Sequence, residues 1–174
     1  MTHDELVHFG YKWLKRRSTI CFSDGLGTRV NEIPDIIGWR GRISTLVECK
    51  VSRSDFLSDG KKLHRRFPEV ALGFYRYYLC PAELIQLDDL PEKWGLLWVK
   101  GRRIYMQLKS GVHEANQSAE VTFLVSMLRR VQIRLMDEEL DDWVRIQNMR
   151  PGVNKKRKEG CHTGPSGKKE REEG

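Results

Sequence analysis

Asp35, then twelve intervening residues, then Glu48-Cys49-Lys50 form the combination of residue types in this sequence that points most directly to a reaction. Both parts sit in strand-like runs, Ile33-Pro34-Asp35-Ile36-Ile37 and Thr45-Leu46-Val47-Glu48-Cys49-Lys50-Val51. Strand alternation sends Val47, Cys49 and Val51 to one face and Glu48 and Lys50 to the other. Apolar neighbours imply a partly buried strand, where a Glu or Lys is costly unless a partner or a metal compensates it. Two carboxylates at the end of a hairpin can hold Mg²⁺, a hard cation that prefers a few oxygens and keeps several waters. Such an ion lowers the pKa of a water attacking phosphorus and neutralises charge growing on phosphate oxygens, and Lys50 suits orienting that water or meeting the same charge. The plainer alternative is an Asp35 that caps a turn and a Glu48–Lys50 pair on a solvated face. The strand-like context of every member favours chemistry over that alternative.

These residues need a scaffold, and the chain's periodicities supply one. Thr2 or Asp4 can cap a first helix running to about Arg17, with Leu6, Phe9, Trp13 and Leu14 at helical spacing and Glu5 on the edge of the stripe. Ser18 to Phe22 predicts a strand that runs into the turn-forming SDGLGT, whose Gly-x-Gly lacks the context of a nucleotide loop. Ile33 to Trp39 and Ile43 to Val51, joined by the Arg40-Gly41-Arg42 turn, predict a hairpin. Ser52 or Ser54 can cap a helix through Asp55, Phe56, Leu57, Leu63 and Phe67, stopped by Pro68. On it, Asp55 and Asp59 could reach the site, but Asp55 reads more simply as a first-turn capping residue and Asp59 as a solvated one. Lys61, Lys62, Arg65 and Arg66 cluster there as well, either as a solvated face or placed to meet a phosphate backbone.

Further strands are predicted over Gly73 to Cys80, Trp94 to Lys100 and Arg103 to Lys109. Tyr75, Tyr77 and Tyr78 read as core or sheet surface in preference to base-stacking groups. Val121, Leu124, Val125, Leu128, Val131 and Leu135 mark one face of a long helix over Ser118 to Met136, flanked by Arg129, Arg130 and Arg134. An acidic helix over roughly Asp137 to Met149 closes the domain. The order α-β-β-β-α-β, then a hairpin and helices, is a mixed α/β architecture on one sheet.

Composition agrees with one folded unit over residues 1–150 and a disordered basic tail over 151–174. The 174 residues suffice for one core, the 39% hydrophobic content and five Trp argue for a packed globule, and a mean hydropathy of -0.57 argues for solubility. No apolar stretch is long enough to span a bilayer, and MTHDELVHFG lacks a signal pattern, so a cytoplasmic protein is the expectation. Cys21, Cys49, Cys80 and Cys161 lie too far apart for a zinc ribbon and read as free thiols. His64 and His113 have no partner at metal-ligand spacing. A net charge of +7 and a pI near 9.3 suit a polyanionic partner such as DNA. The tail, with seven basic and four acidic residues, carries part of that excess and the run Lys155, Lys156, Arg157 and Lys158.

Pro34-Asp35 and Glu48-Cys49-Lys50, in this order of elements, resemble the PD and ExK motifs of the PD-(D/E)XK nuclease superfamily. The segments VSRSDFLSDGKK, RYYLCP and LPEKWGLLWV further resemble its MmcB-like DNA repair group, and the likeness covers roughly residues 3 to 110. The resemblance implies a restriction-endonuclease-like αβββαβ core with one mixed sheet, here with added C-terminal helices. It also implies a Mg²⁺-dependent nuclease, with Mn²⁺ as a substitute, acting on DNA in repair, recombination, restriction or phage metabolism. Asp35, Glu48 and the Cys49 carbonyl would ligate the metal, Lys50 would assist the nucleophile, and Glu5 matches a first-helix glutamate that many members use. A non-cleaving nucleic-acid-binding module of the same fold is the second expectation. A homodimer is compatible with such folds, although no heptad seam demands one.

Overall fold

A capping box starts the first helix: the Glu5 N–H donates to Thr2 Oγ1 at 3.2 Å, and the Glu5 carboxylate accepts from the Thr2 N–H at 2.8 Å. The helix, α1 (His3–Lys15), buries Leu6, Val7, Gly10 and Leu14 along one stripe. Gly10 is required there, because a Cβ would run into Ile36 Cδ1 and Leu79 Cδ2 of the sheet beneath. This computed structural model describes residues 1–23, 32–62 and 70–137, with side chains through residue 133. The other elements are β1 (Ile20–Ser23), β2 (Ile36–Arg40), β3 (Ile43–Cys49), α2 (Arg53–Asp59), β4 (Tyr75–Pro81), β5 (Gly95–Lys100), β6 (Arg103–Leu108) and α3 (Gln117–Asp137). The order α-β-β-β-α-β is therefore present as the sequence led us to expect, and the fold is α/β.

Among the described residues the strands form one mixed sheet in the order β1-β2-β3-β4-β5-β6. β3, β4 and β5 are parallel neighbours, and the remaining pairs are antiparallel. β2 and β3 make the expected hairpin, with Arg40 opposite Ile43 and Gly41 at φ +61° in the two-residue turn. Each face of the sheet has its own core. Ile36, Val47, Cys49, Tyr77, Leu79 and Leu97 pack beneath α1 with Leu6, Val7 and Leu14. On the other side Ile37, Trp39, Leu46, Tyr78 and Leu96 pack with Phe56 of α2 and with Phe123 and Met127 of α3. Arg53, at the start of α2, pairs with Asp89 in a short 3-10 turn and fixes that helix against the loop before β5.

Several expectations are corrected. α2 ends at Asp59, with Gly60 as its cap, so it is shorter than the predicted helix; Leu63, His64, Arg65, Arg66 and Phe67 lie outside the described residues. The SDGLGT turn beyond Ser23, the acidic segment after Asp137 and the 151–174 tail also lie outside them. The stripe that the sequence marks as one face of α3 is largely exposed, with Val121 at 59%, Val125 at 58% and Leu128 at 60%, while Leu124 packs against the core.

The rotation of α3 has a polar cause. Glu120 is buried and accepts from Trp39 Nε1 at 3.1 Å, from Ser44 Oγ at 2.6 Å and from the Gly73 N–H at 3.0 Å. Phe123 and Met127, three and seven residues on, share its side of the helix and fill the core. Phe123→Ala should therefore cost about 3–5 kcal/mol of stability. Leu128→Ala, on the exposed stripe, should stay within about 0.5 kcal/mol. Urea unfolding followed by tryptophan fluorescence measures both, and equal losses would contradict this orientation of α3.

Candidate functional site

At the C-terminal end of β3 the strand alternation works as expected: Val47 and Cys49 face α1, and Glu48 and Lys50 face α2. The strand continues in effect past Cys49, since the Lys50 N–H donates to the Leu79 carbonyl of β4 at 2.9 Å. Ile36 pairs with Val47, so Asp35 stands one step further along the hairpin, beside Glu48. Its Oδ2 accepts from the Cys49 N–H at 2.7 Å, and its Oδ1 lies 3.5 Å from His3 Nε2 in the first turn of α1. Helix α1 thus contributes an imidazole to the same strand end.

Glu48 and Lys50 are 2% and 3% exposed, so their charges require partners. Lys50 Nζ lies 3.6 Å from Glu48, 3.8 Å from Asp55 and 3.1 Å from Asp59. Asp59 is fully buried and also accepts from Tyr78 Oη–H at 2.7 Å. Lys62 reaches in from the end of α2, at 2.7 Å from Asp59 and 4.0 Å from Glu48. Burial alone would lower the Lys50 pKa. The charges of Glu48 and Asp59, the hydrogen bond to Asp59 and the charge of Asp55 outweigh it, and the pKa rises above its ordinary 10.5. Lys50 is therefore a fixed cation at neutral pH, suited to stabilising negative charge and unsuited to accepting a proton. Asp35, His3, Asp55 and Lys62 are all partly exposed and form the rim of this buried cluster.

The structure brings together Asp35, Glu48, Cys49 and Lys50. Glu5 is engaged in the capping box of α1, with its side chain 61% exposed, and makes no described contact with the other four. Asp59, expected at the solvent, is instead the buried anchor of Lys50; its i, i+3 relation to the apolar Phe56 was the available signal. Tyr78, read as core or sheet surface, is buried, hydrogen-bonds to Asp59 and pairs with Glu48 in the β3–β4 register. Lys62, expected as a phosphate contact, is occupied by Asp59, whereas Lys61 is exposed. Among the described cysteines, burial pushes the Cys21 and Cys80 thiols up to about 11, far from the range of a reactive thiolate. His113 is a packing residue beside Trp94, within 3.1 Å of the Lys93 carbonyl. Among the described residues no helix is long and apolar enough to cross a membrane.

No protein-family model matches the chain, and no curated protein matches it. A solved structure does: SPO1766, a protein of unknown function from Silicibacter pomeroyi, superposes with a TM-score of 0.58 at 17% identity, over 82% of this chain and 98% of that one. The likeness is one of fold.

Two outcomes follow from the buried cluster. Asp59→Ala leaves Lys50 and Tyr78 without their shared carboxylate and should cost about 3–5 kcal/mol, whereas Asp55→Ala, at the rim, should cost under about 1 kcal/mol; chemical denaturation distinguishes them. Because the folded-state pKa of Lys50 is raised, its contribution to stability is complete below about 10.5 and is lost as pH rises through the folded value. A Lys50→Met variant should accordingly lose less melting temperature than the wild type between pH 10 and higher values, and parallel alkaline profiles would contradict the assignment.

Proposed function

We propose that this chain is a metal-dependent nuclease of the PD-(D/E)XK type, related to the MmcB-like DNA repair group, that hydrolyses phosphodiester bonds of DNA. The observation that carries this reading is the hydrogen bond from the Cys49 N–H to Asp35. It ties the aspartate of a Pro-Asp pair to the strand end that bears Glu48 and Lys50. The αβββαβ order supports the same reading.

The donors fit a hard cation. Asp35, Glu48 and the Cys49 carbonyl offer oxygens at adjoining strand ends, and Mg²⁺ takes one or two protein carboxylates with water completing its shell. Among the described residues no group of three or more His, Cys, Asp and Glu is gathered for a metal, which is a stricter demand than Mg²⁺ makes. A bound Mg²⁺ or Mn²⁺ would supply an activated water and neutralise charge on phosphate oxygens. The chain's own residues supply the rest. Asp59 holds Lys50 and Tyr78 holds Asp59; the Lys50 ammonium stabilises charge on a phosphate oxygen in a setting of reduced dielectric. The Cys49 N–H fixes Asp35 from one side and His3 faces its other oxygen at the accessible rim.

A second reading, a DNA-binding module that does not cut, is favoured by one observation. Two ammonium groups, Lys50 and Lys62, already stand within 4.0 Å of the Glu48 carboxylate, and a metal ion would compete with them for it. Labelled linear, branched and single-stranded DNA incubated with Mg²⁺, Mn²⁺ or EDTA separates the two. The nuclease reading expects metal-dependent cleavage that falls about 100-fold or more in Asp35→Ala, Glu48→Ala and Lys50→Ala, with DNA affinity in EDTA little changed. Binding without cleavage of any substrate, and without heat of metal uptake by calorimetry, would replace it with the binding module.

A further inference from the structure

Away from the strand end, the outer side of α1 and the edge strand β6 enclose a groove of about 450 Å³. Lys12 lines it from the helix, Arg16 and Arg17 from the residues just after it, Arg102 from the β5–β6 turn and Arg103 from the start of β6. No acidic residue lines it, and among the described residues none of these five cations has an ion pair with a carboxylate. All five are exposed. Their charges repel one another, and such an arrangement is relieved by a bound polyanion.

Aromatic side chains are interleaved with these charges. The Arg17 guanidinium lies over the Trp13 ring, 4.4 Å from its centroid, and donates to the Trp13 carbonyl at 2.8 Å, so its plane is held in place. Trp13 is braced from behind by Tyr77 in an edge-on contact at 5.8 Å. Across the groove β6 turns Ile104 toward α1, while Tyr105, paired with Trp98, points to the other face of the sheet. A fixed guanidinium plane is a platform on which an unpaired base stacks, and the cations follow a backbone.

From this we infer that the α1–β6 groove is a binding site for single-stranded nucleic acid, in which Lys12, Arg16, Arg102 and Arg103 meet phosphates while a base stacks on the Arg17–Trp13 pair. Unpaired bases can reach that plane and bases stacked within a duplex cannot, so the platform selects single strands. The site is separate from the strand end: Lys12 is nine residues from His3 along α1, roughly 14 Å at the helical rise. It goes beyond the nuclease reading and does not rest on it, since binding here requires no metal and no cleavage.

The test is fluorescence anisotropy of the full chain with labelled oligo(dT), oligo(rU) and a duplex of equal length, in EDTA over a series of salt concentrations. Single strands should bind more tightly than the duplex, and the DNA and RNA arms report whether the sugar is read. Arg17→Gln should weaken single-strand binding more than Lys12→Gln does, because it removes a stacking plane as well as a charge. An Arg16→Gln/Arg103→Gln double variant should lower affinity and reduce the slope of log K against log salt by about 1.4, two phosphate contacts at about 0.7 each. These residues are exposed, and unchanged thermal melting checks that the variants fold. Duplex binding as tight as single-strand binding, groove variants that bind like the wild type, or loss of affinity in Lys61→Gln alone would overturn the inference. Since every arm is run without metal, failure here leaves the cleavage assay unaffected, and failure of cleavage leaves this binding intact.

Discussion

The cost of burying Glu48 and Lys50 at a strand end organises much of this domain. Neither side chain can sit in the interior as an isolated charge, and their mutual contact leaves further oxygens and protons to be satisfied. The compensation comes from three directions: Asp59 and Lys62 from the end of α2, Tyr78 from the neighbouring strand, and the partly exposed Asp55 from the first turn of α2. Helix α2 has only seven residues, and its position is set by this network, by Phe56 in the core and by Arg53 on Asp89. A short helix has little intrinsic stability, so these tertiary contacts are what hold it against the sheet.

Much of this arrangement was legible in the sequence because β-structure has a period of two. Once Thr45 to Val51 is read as a strand, Glu48 and Lys50 must share a face, and the turn at Gly41 brings Asp35 back beside them. The order of elements followed from the same turn and strand signals. What could not be read was the third dimension of the helices. Asp59 looks like one more charged residue of a charged helix, and only its packing beneath the sheet, beside Tyr78, makes it an interior group.

Helix α3 illustrates a different limit. Its stripe of Val121, Val125 and Leu128 has the helical period, but Phe123 and Met127 form another, and periodicity cannot rank two apolar faces of one helix. The choice between them is made by Glu120. A carboxylate that accepts from Trp39, Ser44 and Gly73 at once has one permitted orientation, and it turns Phe123 and Met127 inward with it. A polar residue thus sets the facing of a helix whose hydrophobic content left the choice open.

The two cationic regions differ in how their charge is offset, and that difference separates cations held by neighbouring carboxylates from uncompensated ones. Lys50 and Lys62 stand among the carboxylates of Glu48, Asp55 and Asp59, so their positive charge is more than offset within the cluster and they are held in place. The five cations of the α1–β6 groove have no such carboxylates, face solvent, and alternate with aromatic surface. An incoming polyanion gains little from a lysine whose field is already cancelled by a neighbouring carboxylate, and gains most where like charges are uncompensated. The physical ground for electrostatic attraction is therefore stronger at the groove than at Lys62, although Lys62 belongs to the denser run of basic residues in the sequence.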